Sequence, residues 1–254
     1  MTRFLEIDII KGIAVTTMIV FHYFYLSNYM NLSNYNIDSG ILFFLAKFSH
    51  IIFIIMVGVN LSISYERNKQ KDKPNQFYRK QLIRAVKLFI AGIIITLISK
   101  SVFGDDIYVK FGIFHFIAIS IIISMPIIKS KMLILMAFAI ILTLNLVRNY
   151  FYTTCLNYPF SCFIVGVQNI KYSALDHFSI IKYYGYICIG LLLGKYVYQD
   201  NQRILNLPQL DKTQNKLIKL IAYLGRNSFN IYFLHFILFY YHFYGNGGVP
   251  KTYI

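Results

Sequence analysis

The chain has 254 residues, of which 57% are hydrophobic and only 14% charged, with a mean hydropathy of +0.55. A soluble domain carries about 25% charged residues, so a water-soluble fold is nearly excluded. The net charge of +15 would suggest nucleic acid in a soluble protein, but here it collects in loops between apolar runs, and no arginine-aromatic platform accompanies it.

Apolar runs long enough for a bilayer, about 20 residues each, set the architecture. No charged side chain occurs from Gly12 to Ile37, from Phe48 to Tyr65, or from Phe111 to Ile128. In chain order the sequence predicts helical spans at 8–30, 41–65, 80–102, 111–128, 132–150, 183–198 and 217–243. This is an all-α, polytopic membrane helix bundle of about seven transmembrane helices, read as one domain over 1–254. The first run is too long for the core of a cleaved signal peptide, and no small-x-small cleavage site follows it. The third and sixth spans are weak by hydropathy, because Arg84 and Lys87 must snorkel and 184–194 is short. The basic loop 66–80 joins the second and third spans. The segment 151–182, with Pro159 and many aromatics, is expected to be an irregular outer loop. Cys155 and Cys162 share that loop, where a disulfide is open, and Cys188 reads as a small buried hydrophobe.

Lysine and arginine set the orientation. Arg67, Lys69, Lys71, Lys73, Arg79 and Lys80 lie between spans two and three. Lys129 and Lys131 lie between four and five, and Arg203, Lys212, Lys216 and Lys219 between six and seven. These loops are read as cytoplasmic, which places the N-terminus inside and the C-terminus outside.

Ionisable residues at membrane depth are functional candidates. His22 sits deep in the first span. On a helix, Asp8 lies about 21 Å below it and Lys11 about 16 Å below, all within about 40° of one face. That stripe puts a cation near the cytoplasmic edge and an imidazole deeper in, separated by roughly the reach of a pantetheine arm. His115 opens the fourth span, His235 lies in the seventh, and His177 follows Asp176 before the sixth. No histidine pair has a local metal-ligand spacing such as HxxxH, and no metal site is assigned. Arg84 and Lys87 stand one turn above Arg79 and Lys80 and reach further than anchoring needs, as a phosphate-binding pocket would. In Leu224-Gly225-Arg226-Asn227-Ser228, Gly225 can break one helix and Asn227 or Ser228 can cap the next.

Taken in order, these segments resemble a known family. Glu6-Ile7-Asp8-Ile9-Ile10-Lys11-Gly12 with Phe21-His22 resembles the opening of the heparan-alpha-glucosaminide N-acetyltransferase-like catalytic domain family. Phe111-Gly112-Ile113-Phe114-His115-Phe116 resembles its fourth-span motif. Tyr172-Ser173-Ala174-Leu175-Asp176-His177-Phe178 and Gly190-Leu191-Leu192-Leu193-Gly194-Lys195 resemble its sixth-span region, and Leu224 through His235 its last span. Lys11 and His22 also keep the spacing of the basic residue and histidine in the wider transmembrane acyltransferases, with Lys where Arg is usual.

The resemblance implies an acetyl-CoA-dependent acyltransferase. It would move an acetyl or similar group from cytosolic acyl-CoA to an acceptor across the membrane, often a sugar amine or hydroxyl. His22 is then the general base or a transient acyl carrier, and His115 orients the acceptor or shares proton transfer. Asp8, Lys11, Arg79, Arg84 and Lys87 serve the acyl donor. Asp176, His177, Arg226, Asn227 and His235 serve or support the acceptor. Acyl-CoA is a co-substrate and no tightly bound cofactor is expected. The expected partners are the lipid bilayer and a glycan or other small acceptor, with no nucleic acid and with a homodimer left open. The expected location is multi-pass, in the plasma membrane if the source is prokaryotic. A non-enzymatic transporter, or a subunit that handles glycan or lipid, is the alternative class.

Overall fold

The computed structural model describes residues 4–71, 73–104, 108–151, 164–166, 176–199, 202–204 and 213–248. Among these residues the chain is helical: α1 (Leu5–Tyr29), α2 (Gly40–Lys69), α3 (Pro74–Phe103), α4 (Ile113–Ile127), α5 (Lys131–Val147), a 3-10 turn (Arg148–Phe151), α6 (Ile180–Val197), α7 (Lys216–Arg226) and α8 (Ser228–Gly245). The one strand-like pairing among the described residues is an isolated bridge between Phe111 and His177.

Among the described residues, four helices are long and apolar enough to cross a bilayer: Leu5–Tyr29, Gly40–Lys69, Pro74–Ser101 and Ile180–Val197. The helices Ile113–Ile127 and Lys131–Val147 are apolar but shorter. At 15 residues, α4 spans roughly 22 Å. The outward faces of α3 and α5 carry contiguous exposed apolar residues, among them Ile83, Ile90, Leu97, Met136, Ile140 and Leu146. A soluble monomer rarely exposes such patches; hydrocarbon is the solvent that matches them.

The expected helix boundaries shift in three places. The third helix starts at Pro74, a residue suited to a helix's first turn, and not at 80. The sixth starts at Ile180, so helix replaces the last residues of the expected irregular segment 151–182. Most of that segment, with Cys155 and Cys162, lies outside the described residues. The span expected over 217–243 is two helices that meet at Asn227. Its first piece, α7, has 11 residues and reaches only about 16 Å.

The chain divides into two compact units, Met1–Met56 with Asn206–Ile254, and Val57–Leu205. In the first, α1 packs against α7 and α8. The contact is close because both helices offer glycine. A methyl group on Gly12 would meet the Ile221 carbonyl, and one on Gly225 would meet the Asp8 carbonyl. In lipid there is little hydrophobic drive between helices, and small residues that admit close backbone packing take its place. After α1 the chain turns at Asn31, whose φ of 57° lies in the left-handed region that asparagine tolerates. The following loop is tied back to the helix. The buried Asn28 donates from Nδ2 to the Tyr35 carbonyl at 2.6 Å and accepts the Tyr35 N–H at 2.8 Å. The Ser33 hydroxyl lies 2.8 Å from both Asn28 Oδ1 and Ser27 Oγ.

In the second unit, α3 packs on α4 and α5 on α6, around Phe77, Phe116, Ile121, Tyr184, Ile187 and Leu191. Ser124 of α4 and Tyr184 of α6 share a hydrogen bond of 3.0 Å. Residues 57–69 of α2 approach α6 through Gly58 at Ile187 and Gly190, and through Ser62 at Gly194. At the end of that contact Lys195 Nζ pairs with Glu66 Oε1 at 2.8 Å and lies 5.1 Å from the Tyr65 ring centroid.

Candidate functional site

In the first unit the stripe expected on α1 exists, and each of its polar residues has found a partner. Asp8 is 2% exposed. Its carboxylate holds Lys11 Nζ at 3.4 Å, one turn along the same helix, and accepts a hydrogen bond from Arg226 Nε at 3.2 Å. Two cations on one buried carboxylate repay part of its desolvation. Arg226 remains 47% exposed, so it is not only a snorkelling anchor: it ties the end of α7 to the start of α1. Asn227 joins α7 to α8. Its side-chain amide donates to the Tyr223 carbonyl at 3.0 Å, and neither it nor Ser228 makes the side-chain cap on α8 that the sequence suggested.

Higher on the same face of α1, His22 Nδ1 lies 2.9 Å from His235 Nε2. Both rings are buried, and they stack at 5.0 Å with 20° between planes. His235 Nδ1 lies 2.6 Å from the Tyr232 carbonyl. A carbonyl only accepts, so His235 carries its proton on Nδ1. With both rings neutral, His235 Nε2 then accepts the N–H of His22 Nδ1, which leaves the lone pair of His22 on Nε2. The order of protons is fixed by one backbone carbonyl. Phe236, at 4.6 Å from the His22 ring, and Tyr232 wall the pair. Such an arrangement can accept a proton at one defined atom and steady the resulting cation through a second imidazole.

The remaining candidates lie in the second unit. His115, 6% exposed, lies flat on Gly92 of α3, where any side chain would strike its ring. Phe89 meets it edge-on at 5.2 Å and Phe111 stacks at 5.7 Å. Its Nδ1 is buried and has no hydrogen-bond partner among the described residues. Asp176 and His177 form the approach to α6. Phe178 N–H donates to the Phe111 carbonyl at 3.0 Å, which holds this loop beside the start of α4. The Asp176 carboxyl, outside the helices, is pushed up to about 7 by loss of water, against the pull of N–H groups from Ile113 and His177. Arg79, Arg84 and Lys87 are exposed on α3. No cluster of three metal-ligating side chains occurs among the described residues.

The sequence singled out His22 and His235 separately but gave no sign of their pairing, because they stand 213 residues apart. The Asp8–Arg226 tie was hidden for the same reason. Glu66 and Lys195 were missed; the available signal was one acidic and one basic residue, each at the end of a long apolar run.

Comparison with curated proteins and with solved structures found no match. A family model described as heparan-alpha-glucosaminide N-acetyltransferase, catalytic, matches residues 3–237. That interval takes in α1 with Asp8, Lys11 and His22, the whole of the second unit, and α8 as far as His235. With nearly its full length matched, and with apolar helices long enough to cross a membrane, the chain belongs to the heparan-alpha-glucosaminide N-acetyltransferase catalytic-domain family of membrane transferases.

Proposed function

We propose that this protein is an acyltransferase that moves an acetyl or similar acyl group from cytosolic acyl-CoA to a sugar amine or hydroxyl on the far side of the membrane. The observation that carries the reading is the ordered His22–His235 pair, buried on the α1 face whose base holds Lys11 and Arg226. His22 Nε2 takes the proton as the acceptor nitrogen or oxygen attacks the thioester carbonyl. A new bond to the acyl carbon forms, the carbon–sulfur bond breaks, and the coenzyme A thiolate leaves with the proton. His235 is a positioning residue that fixes the tautomer of His22. Lys11, with Arg226 beside it, meets the donor's phosphates, and Arg79, Arg84 and Lys87 are further donor contacts. His115, with Asp176 and His177, is assigned to acceptor support.

The positive loops support an orientation with the N-terminus cytoplasmic. On this reading the chain makes seven crossings, with α7 and α8 together forming the last, and the C-terminus is outside; the membrane is the plasma membrane if the source is prokaryotic.

The test is transfer of labelled acetyl from acetyl-CoA by the purified protein in lipid nanodiscs. Wild type is run beside His22→Ala, with glucosamine-type acceptors present. Transfer by wild type and its loss in the variant, with unchanged thermal unfolding, is the expected result. Equal transfer by both proteins would remove His22 from the reaction. If neither moves label nor binds coenzyme A, the enzyme reading falls.

A further inference from the structure

Beyond the C-terminal end of α1 the first unit contains a hollow of about 260 Å³. Sites for drug-sized ligands run to ~300–1,000 Å³, so this one has room for a single ring and not for a chain or an acyl tail. Its lining is a chemical selection. Tyr25, Tyr29 and Tyr35 supply aromatic surface; Asn34, Asn36 and Asp38 supply amides and a carboxylate. Aromatic faces suit the C–H face of a pyranose, and planar amide or carboxylate groups suit neighbouring hydroxyls, which both give and take hydrogen bonds. Asp38 is the single charged group of the lining, and no Lys or Arg lines the hollow among the described residues.

Two further observations place and shape it. Tyr25 and Tyr29 follow His22 by three and seven residues, so they sit about 4 Å and 10 Å further along α1, within about 60° of the His22 face. The loop wall is preformed: Asn28 grips both backbone groups of Tyr35, and the Tyr35 ring meets Phe24 edge-on at 4.8 Å. A ligand entering there does not have to order the loop.

We infer that the hollow walled by α1 and residues 34–38 binds one uncharged or amine-bearing sugar ring and rejects anionic sugars. This rests on the acyltransferase reading and narrows its acceptor: the sugar lies one to two helical turns beyond the catalytic imidazole, and the polyanionic character of heparan is not what the site selects. A carboxylate attracts an ammonium group and repels a carboxylate or sulfate, so Asp38 carries the discrimination.

The experiment is calorimetric titration of the full chain in nanodiscs free of glycoside detergent, without acyl-CoA. The probes are glucosamine, glucose, glucuronate and glucosamine 6-sulfate, against wild type and Asp38→Lys. Wild type should bind glucosamine more tightly than glucose and neither anionic sugar. Asp38 is exposed, so the variant should unfold at the wild-type temperature. It should bind glucosamine about tenfold more weakly, the scale of one lost charge-assisted hydrogen bond, and gain glucuronate. Methyl and octyl glucosaminide separate the sources: tighter octyl binding assigns the ring to a lipid-linked sugar, and equal binding to a free or chain-end sugar. Anionic sugars binding wild type as well as glucosamine does, or a variant with the wild-type order, overturns the inference. Sugar binding without acyl transfer would sink the enzyme reading alone; transfer indifferent to Asp38→Lys would sink the hollow alone.

Discussion

His22 in one unit and His115 in the other are both buried imidazoles walled by aromatic rings, yet their proton bookkeeping differs completely. His22 belongs to a chain of hydrogen bonds that ends on the Tyr232 carbonyl, so which nitrogen carries its proton is decided before any ligand arrives. His115 rests on the bare backbone of Gly92 and leaves Nδ1 with no partner. The first arrangement suits a group that must accept a proton at one atom. The second keeps a polar atom unsatisfied, at a cost of roughly 1–3 kcal/mol, which is tolerated where a ligand completes the bond. Burial alone therefore does not distinguish the two histidines; the partner on the neighbouring helix does.

The contrast is most sharply tested by removing each ring. His22→Ala should lower acyl transfer about 10²- to 10⁴-fold, the range for loss of a general base, in the labelled-acetyl assay. His235→Phe keeps the ring volume and removes the acceptor of the His22 proton. It should lower turnover about a hundredfold and leave the KM for acyl-CoA unchanged. A change in KM with turnover intact would place His235 in donor binding. His115→Leu should act in opposite directions on two readouts. Thermal stability should rise, as an unpartnered buried nitrogen is removed, while transfer falls about tenfold, the scale of one hydrogen bond to the acceptor. A stable variant with full activity would make His115 a packing residue.

The smallest expected effect is on the pH dependence of stability, at the start of α4. The Asp176 carboxyl sits at about 7 in the folded chain against an ordinary value of 3.8. The folded state therefore binds more protons than the unfolded one between those values. Stability from this group is present below about 4 and is lost as pH rises through about 7. Asp176→Asn keeps an oxygen for the Ile113 and His177 N–H groups and removes the titration. Its unfolding temperature should change less between pH 5 and 8 than that of wild type. Parallel profiles would show that Asp176 is ionised throughout.

Much of this fold was legible because hydrocarbon leaves a coarse imprint: long uncharged runs gave α1, α2 and α4 nearly to their ends. The start of α3 was misplaced because Arg79, Lys80, Arg84 and Lys87 lower its hydropathy, although charged side chains can still decorate one face of a helix. Hydropathy predicts the last span as one rod. Its first turns are amphipathic, with Lys216 and Lys219 among apolar residues, and hydropathy averaged over a long window erases such a piece. Within the site, the Asp8–Lys11–His22 stripe was readable from helical periodicity on a single element. The ties to Arg226 and His235 depend on which helix lies beside α1, and no local pattern encodes that.

The junction at Asn227 has a consequence for phase. Arg226 and His235 are nine residues apart, and on one unbroken helix they would face about 180° from each other. Asp8 and His22, their partners, share one face of α1. An uninterrupted rod could present either Arg226 to Asp8 or His235 to His22, but not both. Ending α7 and restarting α8 resets the rotation, so two opposed side chains reach the same stripe. What position 227 must preserve is thus a count rather than a chemistry. Another residue type there can keep the register, whereas adding or deleting one residue would swing His235 by about 100° away from His22 and leave the charge cluster at the base of α1 untouched.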